Sequence, residues 1–112
     1  MKRYQLSKAG VSATEGIQRF NGDKEMYEQV LRGFADDKHL EMLCEAVERQ
    51  DVKAAFAAAH SLKGIAGNLS MNRLFEDIFP LVETLRAGSL ENLEEGLEKV
   101  KKDCEDILQA IL

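Results

Sequence analysis

A histidine, a lysine and two glycines stand close together near the middle of the chain, in the segment His60-Ser61-Leu62-Lys63-Gly64-Ile65-Ala66-Gly67-Asn68-Leu69. Neutral imidazole is a good nucleophile near neutral pH and can form a covalent intermediate. A phosphoryl group that passes to it needs little from the protein beyond positioning and a positive charge. His60 could therefore accept a phosphoryl group, and the Lys63 ammonium could stabilise the phosphoryl oxygens.

The spacing of these residues predicts that they share one edge of a helix. At about 100° per residue, the apolar positions form one arc that faces the core: Val52, Ala55, Phe56, Ala59, Leu62, Ala66 and Leu69. His60 falls just outside that arc, with Gly64 and Gly67 on nearly the same stripe and Lys63 between the histidine and the core edge. Two interior glycines weaken a helix by roughly 1 kcal/mol each relative to alanine, and close approach of another body is the usual reason for them. The pattern predicts an accessible imidazole beside bare backbone.

Each of these residues also has a simpler interpretation. A single helical histidine is more often a surface or packing residue, and a lone lysine is most often a solvated cation. The two glycines could merely allow tight packing between helices. Together these interpretations require four unrelated coincidences at adjoining positions of one helix, so the phosphoryl-acceptor interpretation is favoured.

The rest of the pattern predicts an all-α fold, an antiparallel four-helix bundle with a short extra N-terminal helix. We expect a single domain over residues 1–112, with helices at about 12–20, 24–50, 52–69, 71–87 and 90–112. A break in the apolar phase at residues 36–39 leaves open whether 24–50 is one kinked helix or two abutting helices, and His39 in that break is expected at the surface.

Several residues mark the ends and irregularities of these helices. The predicted N-caps are Asp23, Asp51, Ser70 and Ser89. Pro80 lies inside the fourth bundle helix, where it removes a backbone hydrogen bond to the carbonyl of Glu76 and should kink the helix. The aromatics expected to act as packing residues are Phe20, Phe34, Phe56 and Phe79.

Composition and charge exclude several classes of function. The formal net charge is −5, and no basic stripe with interleaved aromatics offsets it, so we expect no nucleic-acid or membrane partner. No apolar run approaches the roughly 20 residues that cross a bilayer, and we expect a cytoplasmic location. Cys44 and Cys104 lack metal-type spacing and are expected to be small buried residues. With no glycine-rich phosphate loop and no cluster of metal-binding carboxylates, we expect no cofactor and no metal site.

The segment His60-Ser61-Leu62-Lys63-Gly64-Ile65-Ala66-Gly67-Asn68-Leu69 resembles the signature of the histidine-containing phosphotransfer (HPt) domain family. The resemblance extends over nearly the whole chain, from Glu15-Gly16-Ile17-Gln18-Arg19-Phe20-Asn21-Gly22-Asp23 to the pattern Leu74…Leu81…Leu85-Arg86-Ala87-Gly88. The chain departs from the family pattern at Ser70, where the family commonly has glycine, and Pro80 could reshape the wall beside His60.

The resemblance implies a role for each matching residue. His60 would be the phosphorylated histidine, with Nε2 as the suggested atom, Lys63 would hold the phosphoryl oxygens, and Gly64 would leave room for the partner. The implied partners are response-regulator receiver domains, a histidine kinase, or both, with the magnesium ion on the receiver. Candidate partner-binding residues around the histidine are Gly67, Asn68, Met71 and Phe75.

The function expected from the sequence is that of a phosphorelay carrier that accepts a phosphoryl group on His60 and passes it to a receiver. Such a carrier is not an enzyme with its own nucleotide site. One alternative is a helical module that binds a receiver or kinase without being phosphorylated, and an independent kinase or phosphatase is disfavoured because no nucleotide-binding segment is present. A monomer is the simplest expectation. Whether the chain is free-standing or part of a hybrid kinase stays open, with Met1 and the compact length favouring the first.

Overall fold

The fold is built from helices alone, which confirms the predicted class. A computed structural model describes all residues, 1–112. The α-helices are α1 Arg3–Lys8, α2 Ala13–Arg19, α3 Lys24–Gly33, α4 His39–Glu48, α5 Val52–Asn68, α6 Asn72–Arg86 and α7 Glu94–Ile111, with a 3-10 turn at Phe34–Asp36. No helix is both long enough and apolar enough to span a bilayer.

The long helices pack as consecutive neighbours, α4 on α5, α5 on α6 and α6 on α7. Short turns between them place each helix antiparallel to the next. The apolar residues of all these helices join in one core cluster, to which α1 adds Leu6 and α3 adds Tyr27 and Leu31. Helix α5 therefore lies between α4 and α6, and its outer face is the part of it that remains open to a partner.

Three helices begin at residues whose side chains cap them. Asp23 accepts a hydrogen bond from Met26 N at 3.0 Å, and Asp51 accepts one from Ala54 N at 3.0 Å. Ser12 accepts from Glu15 N at 3.3 Å at the start of α2. Each bond pairs an amide that the first helical turn leaves without an intrahelical acceptor. The caps predicted at Asp23 and Asp51 are present.

Two other predicted caps are wrong. The Ser70 hydroxyl is buried without a hydrogen-bond partner, and its backbone is left-handed with φ 55°, so α6 begins only at Asn72. Ser89 Oγ accepts from Glu91 N at 3.1 Å inside a turn rather than at a helix start. A second left-handed residue, Asn92 with φ 58°, delays the start of α7 to Glu94 instead of residue 90.

The N-terminal region differs from the prediction, and the structure decides between the two alternatives left open at the phase break. Helix α1 was not expected, and the stretch 24–50 is two helices joined by the 3-10 turn. His39 is only partly exposed, because Asp37 accepts from its backbone N–H at 3.0 Å and lies 2.8 Å from its Nδ1. The α6 helix continues through Pro80 to Arg86.

The first two helices are tied to the turn between α5 and α6. Ser12 N donates to the carbonyl of Ser70 at 2.9 Å, and Arg73 N donates to the carbonyl of Gly10 at 3.2 Å. Val11 and Met71 form an isolated antiparallel bridge between these two bonds. The N-terminal segment thus fastens the α5–α6 turn by backbone contacts that do not depend on side-chain identity.

A buried carboxyl lies between α6 and α7. Asp103 is 4% exposed, and its Oδ2 has no hydrogen-bond partner. Burial, which is the largest cause, and the neighbouring Asp77 carboxylate together raise the pKa of Asp103 to about 7, against the opposing effect of Arg73. The Asp103 carboxyl is therefore held in its protonated form at pH values where an exposed aspartate would be ionised.

We expect Asp103→Asn to stabilise the protein in a pH-dependent way. Because the folded state keeps this proton to a higher pH than the unfolded chain, the contribution of Asp103 to stability is most favourable below about pH 4 and falls as the pH rises towards 7. Asparagine cannot ionise, and its amide can donate to Asp77. The variant should match the wild type at pH 4 and exceed its free energy of unfolding by about 1–3 kcal/mol at pH 8, measured by urea denaturation.

Glu105→Gln is the matched control, since Glu105 is exposed on the same helix. It should leave the pH dependence of unfolding as in the wild type. A stability difference between Asp103→Asn and the wild type that is constant from pH 4 to pH 8 would contradict the raised pKa of Asp103.

Candidate functional site

Helix α5 buries one face and exposes the other at its midpoint. Its buried residues are Ala55, Ala58, Ala59, Leu62 and Ala66. Compared with the predicted arc, Ala58 joins the core, whereas Val52 and Phe56 are only half-buried. His60, at the middle of this 17-residue helix, is exposed to solvent, as its position outside the predicted core arc indicates.

The two glycines of α5 have different surroundings. A Cβ added to Gly64 would meet no atom within 4 Å, so the backbone one turn beyond His60 faces open space. A Cβ added to Gly67 would lie 3.4 Å from the Phe75 ring of α6. Gly64 therefore leaves room outside the bundle, whereas Gly67 lies against the neighbouring helix.

The Lys63 ammonium rests on aromatic rings of α6. Its Nζ lies 4.8 Å from the ring centroid of Phe79 and 5.9 Å from that of Phe75. Such cation–π contacts contribute about 0.5–1 kcal/mol at exposed sites. No carboxylate pairs with Lys63, in contrast to the surface ion pairs elsewhere in the chain. A half-buried cation one turn from His60 thus has no anionic partner within the protein.

The imidazole of His60 has an aromatic neighbour on its own helix. The Phe56 and His60 rings have centroids 5.6 Å apart and an interplanar angle of 30°. On the other helix, the guanidinium carbon of Arg86 lies 5.0 Å from the Phe56 ring centroid. Both residues were missed as site residues, because Phe56 was assigned to the core arc and Arg86 stands far from the signature in sequence.

Of the predicted partner-binding residues, three border the open surface and one does not. Asn68 is exposed, and Gly67 and Phe75 are partly exposed. Met71 is fully buried, and the prediction that it lines the rim is wrong. Its backbone N–H donates to the carbonyl of Ala66 at 2.8 Å, and its bridge to Val11 turns the side chain into the core.

An exposed aromatic residue takes the place that was predicted for Met71. Phe79 was expected to be a packing residue, but it is 45% exposed. Its ring centroid lies 6.5 Å from that of Phe75, one helical turn away on α6. The spacing of these two aromatics, four positions apart on the same helix, was the sequence signal that could have identified Phe79.

A buried tyrosine of α3 holds the C-terminal end of α5. The Tyr27 hydroxyl donates to the carbonyl of Leu69 at 2.8 Å, and burial raises the pKa of Tyr27 to about 12. The ring fits there because position 16 is glycine, whose missing Cβ would otherwise overlap it. This contact satisfies a carbonyl at the C-terminal end of the helix that carries His60.

The side chains of the chain form no group of three or more histidines, cysteines, aspartates or glutamates that could hold a metal ion. Cys104 is buried, which raises its pKa to about 12, and Cys44 is partly exposed; both are free thiols. The open site is thus composed of the His60 imidazole, the Lys63 ammonium, the bare backbone at Gly64 and the α6 aromatics.

Comparison with known proteins agrees with this arrangement. No curated protein and no solved structure gives a match. The family model of the Hpt domain matches residues 25–110, which include α3 except its first residue and all of α4, α5 and α6. With that stretch matched in a chain of 112 residues, the protein belongs to the Hpt domain family.

Proposed function

We propose that His60 is the phosphoryl acceptor and donor of this chain. An Hpt domain is a phosphotransfer module of two-component signalling. The observation that carries the assignment to His60 is its exposed imidazole, in the middle of α5 beside the open backbone of Gly64. The other histidine, His39, has its ring nitrogen engaged with Asp37.

The proposed reaction is a reversible transfer between a receiver aspartate and the imidazole. The lone pair of an unprotonated ring nitrogen of His60 forms the N–P bond while the P–O bond to the receiver's aspartate breaks. The aspartate leaves as a carboxylate with the bonding electron pair, and the other ring nitrogen keeps its proton. Transfer to a second receiver is the same step in reverse, so this chain needs no nucleotide site of its own.

Lys63 is suited to hold the transferred group. Its ammonium is unpaired and rests on Phe79 and Phe75, contacts that cost little to exchange for a phosphoryl oxygen. A charge-assisted hydrogen bond to a phosphoryl oxygen is stronger than a neutral one. Lys63 therefore offsets the negative charge that arrives on His60 in a domain whose net charge is already −5.

The partners that we propose are receiver domains, a histidine kinase, or both, which would meet the outer face of α5. That face offers bare backbone at Gly64 and the exposed Asn68 one turn further on, and the exposed Phe79 ring of α6 lies against Lys63. We further propose a monomer in the cytoplasm, where receivers and kinase catalytic domains operate. The direction of transfer depends on which partner arrives phosphorylated.

We expect His60→Gln to abolish phosphorylation. A receiver charged with acetyl phosphate should transfer its phosphoryl group to the wild-type chain and form an acid-labile, base-stable species. The amount of this species should be at least about 100-fold lower in the variant, because glutamine has no nucleophilic nitrogen.

Lys63→Ala should slow transfer by about tenfold, since it removes one charge-assisted contact. Both effects are measured with radiolabelled receiver in a single-turnover assay.

His39→Gln is the control, because it removes the only other imidazole of the chain. It should label as the wild type does. Equal labelling of His60→Gln and the wild type would show that His60 is not the acceptor. Binding of receivers with no transfer at all would favour the unphosphorylated interaction module instead.

Gly64→Ala should have opposite effects on stability and on docking. An added Cβ meets nothing in the free protein, so replacing a helical glycine should raise the free energy of unfolding by about 0.5–1 kcal/mol. The same methyl group stands where the receiver must approach, and the receiver concentration for half-maximal transfer should rise by about tenfold, as expected for loss of close packing.

Gly33→Ala provides the matched control, since a Cβ at Gly33 also meets no atom within 4 Å and the residue lies on α3. It should raise stability similarly and leave the half-maximal receiver concentration unchanged. If Gly64→Ala leaves the receiver concentration for half-maximal transfer unchanged, Gly64 is not part of the docking surface.

A further inference from the structure

The His60 ring lies beside an aromatic ring and has no hydrogen-bond partner in the protein. Its imidazole makes no hydrogen bond within the protein, whereas the His39 ring is 2.8 Å from a carboxylate oxygen. The ring that His60 contacts is Phe56, one turn earlier on α5, at 5.6 Å between centroids and a 30° tilt. That separation lies within the range of favourable aromatic pairs, which prefer offset or inclined arrangements.

The Phe56 ring is itself held from α6. The guanidinium carbon of Arg86 lies 5.0 Å from its centroid, a distance at which the cation is attracted to the aromatic face. Arg86 is in turn oriented by Glu83, whose Oε2 accepts from Arg86 Nε at 3.2 Å. A row of four side chains, Glu83, Arg86, Phe56 and His60, therefore links the outer edge of α6 to the imidazole.

A nucleophilic side chain is normally oriented by a hydrogen-bonded neighbour. For an imidazole that must use one nitrogen as nucleophile, such a bond engages one of its two edge atoms. Contact with the tilted Phe56 ring restricts rotation about the side-chain bonds and leaves both edge nitrogens without a hydrogen bond. The arrangement therefore restrains the ring while keeping every nitrogen open to the partner.

From this geometry we infer that Phe56, steadied by Arg86, is a positioning residue for phosphoryl transfer through His60. The inference rests on the proposed function of His60 and adds to it the group that orients the ring. Phe56 does not touch the phosphoryl group. It raises the fraction of time in which the imidazole points along the line of attack, and so acts on the rate within the docked complex rather than on docking.

A purely structural role for Phe56 predicts a different result for the variants. Phe56 is half-buried, and a leucine would fill much of the same volume without offering an aromatic face. If the residue matters only for packing, leucine should be tolerated and any defect should appear in stability. If the aromatic face matters, tyrosine should substitute for phenylalanine and leucine should not.

The test compares Phe56→Leu with Phe56→Tyr in single-turnover transfer from a receiver charged with acetyl phosphate. Loss of one aromatic pair corresponds to about a 3- to 10-fold fall in the saturating rate. We expect that fall in Phe56→Leu, with the half-saturating receiver concentration unchanged to within about twofold, and a Phe56→Tyr rate within about twofold of the wild type. Arg86→Gln, which leaves the core untouched, should show a fall of about two- to threefold.

A spectroscopic measurement accompanies the rates. The ring protons of His60, assigned by comparison with His60→Gln and His39→Gln, should carry a ring-current shift from Phe56 in the NMR spectrum of the free protein. That shift should be lost in Phe56→Leu and kept in Phe56→Tyr. This readout needs no partner, so it tests the stack even if transfer is not observed.

Several outcomes would overturn the inference. A Phe56→Leu rate equal to that of the wild type would do so, as would the absence of any ring-current shift or an equal fall in the leucine and tyrosine variants. If Phe56→Leu does not fold, the test uses Arg86→Gln and Phe56→Tyr. An unchanged transfer rate in Arg86→Gln would show that Arg86 has no positioning role. Failure of the wild type to accept phosphoryl would instead reject the proposed function of His60.

Discussion

The structure depends on the small side chains along the buried face of α5. This helix packs against a neighbour on each side and also leaves the His60 ring exposed, as the proposed transfer requires. Ala55, Ala59 and Ala66 are fully buried there, and such residues let neighbouring helices approach closely without filling the helix's outer side. Because the inner face needs little volume, the outer face can carry His60 at its midpoint with the backbone bare beside it.

Residues of two helices, α5 and α6, form the site. Helix α5 supplies the imidazole, the ammonium and the open backbone, whereas α6 supplies the aromatic rings and the arginine that hold them. Lys63 rests on Phe79, and Phe56 is held by Arg86. Each contact pairs a cation with an aromatic ring, so the site gathers positive charge without a buried ion pair and its desolvation cost. Any shift of α6 relative to α5 would therefore alter both cations at once.

Much of the fold and part of the site followed from local signals in the sequence. The caps at Asp23 and Asp51 and the exposure of His60 depend on residue type and helical period, which act within a few positions. The errors fall where tertiary contacts decide. Met71 is buried because Val11 pairs with it, and Phe79 is exposed because no helix covers that side of α6. Neither the burial of Met71 nor the exposure of Phe79 can be recognised from the residues that neighbour it in the sequence.

The turn between α5 and α6 contains a strained residue. Ser70 adopts a left-handed backbone and encloses a hydroxyl that bonds to nothing, two features that glycine would lack. Together these two features lower the free energy of unfolding by about 2–4 kcal/mol. Serine offsets part of this loss because it has less conformational entropy than glycine in the unfolded chain. The backbone bond from Ser12 to Ser70 keeps this turn closed. The residues that join α1 to α2 therefore contact the turn that sets the direction of α6 relative to α5, although α1 and α2 both precede the matched stretch 25–110.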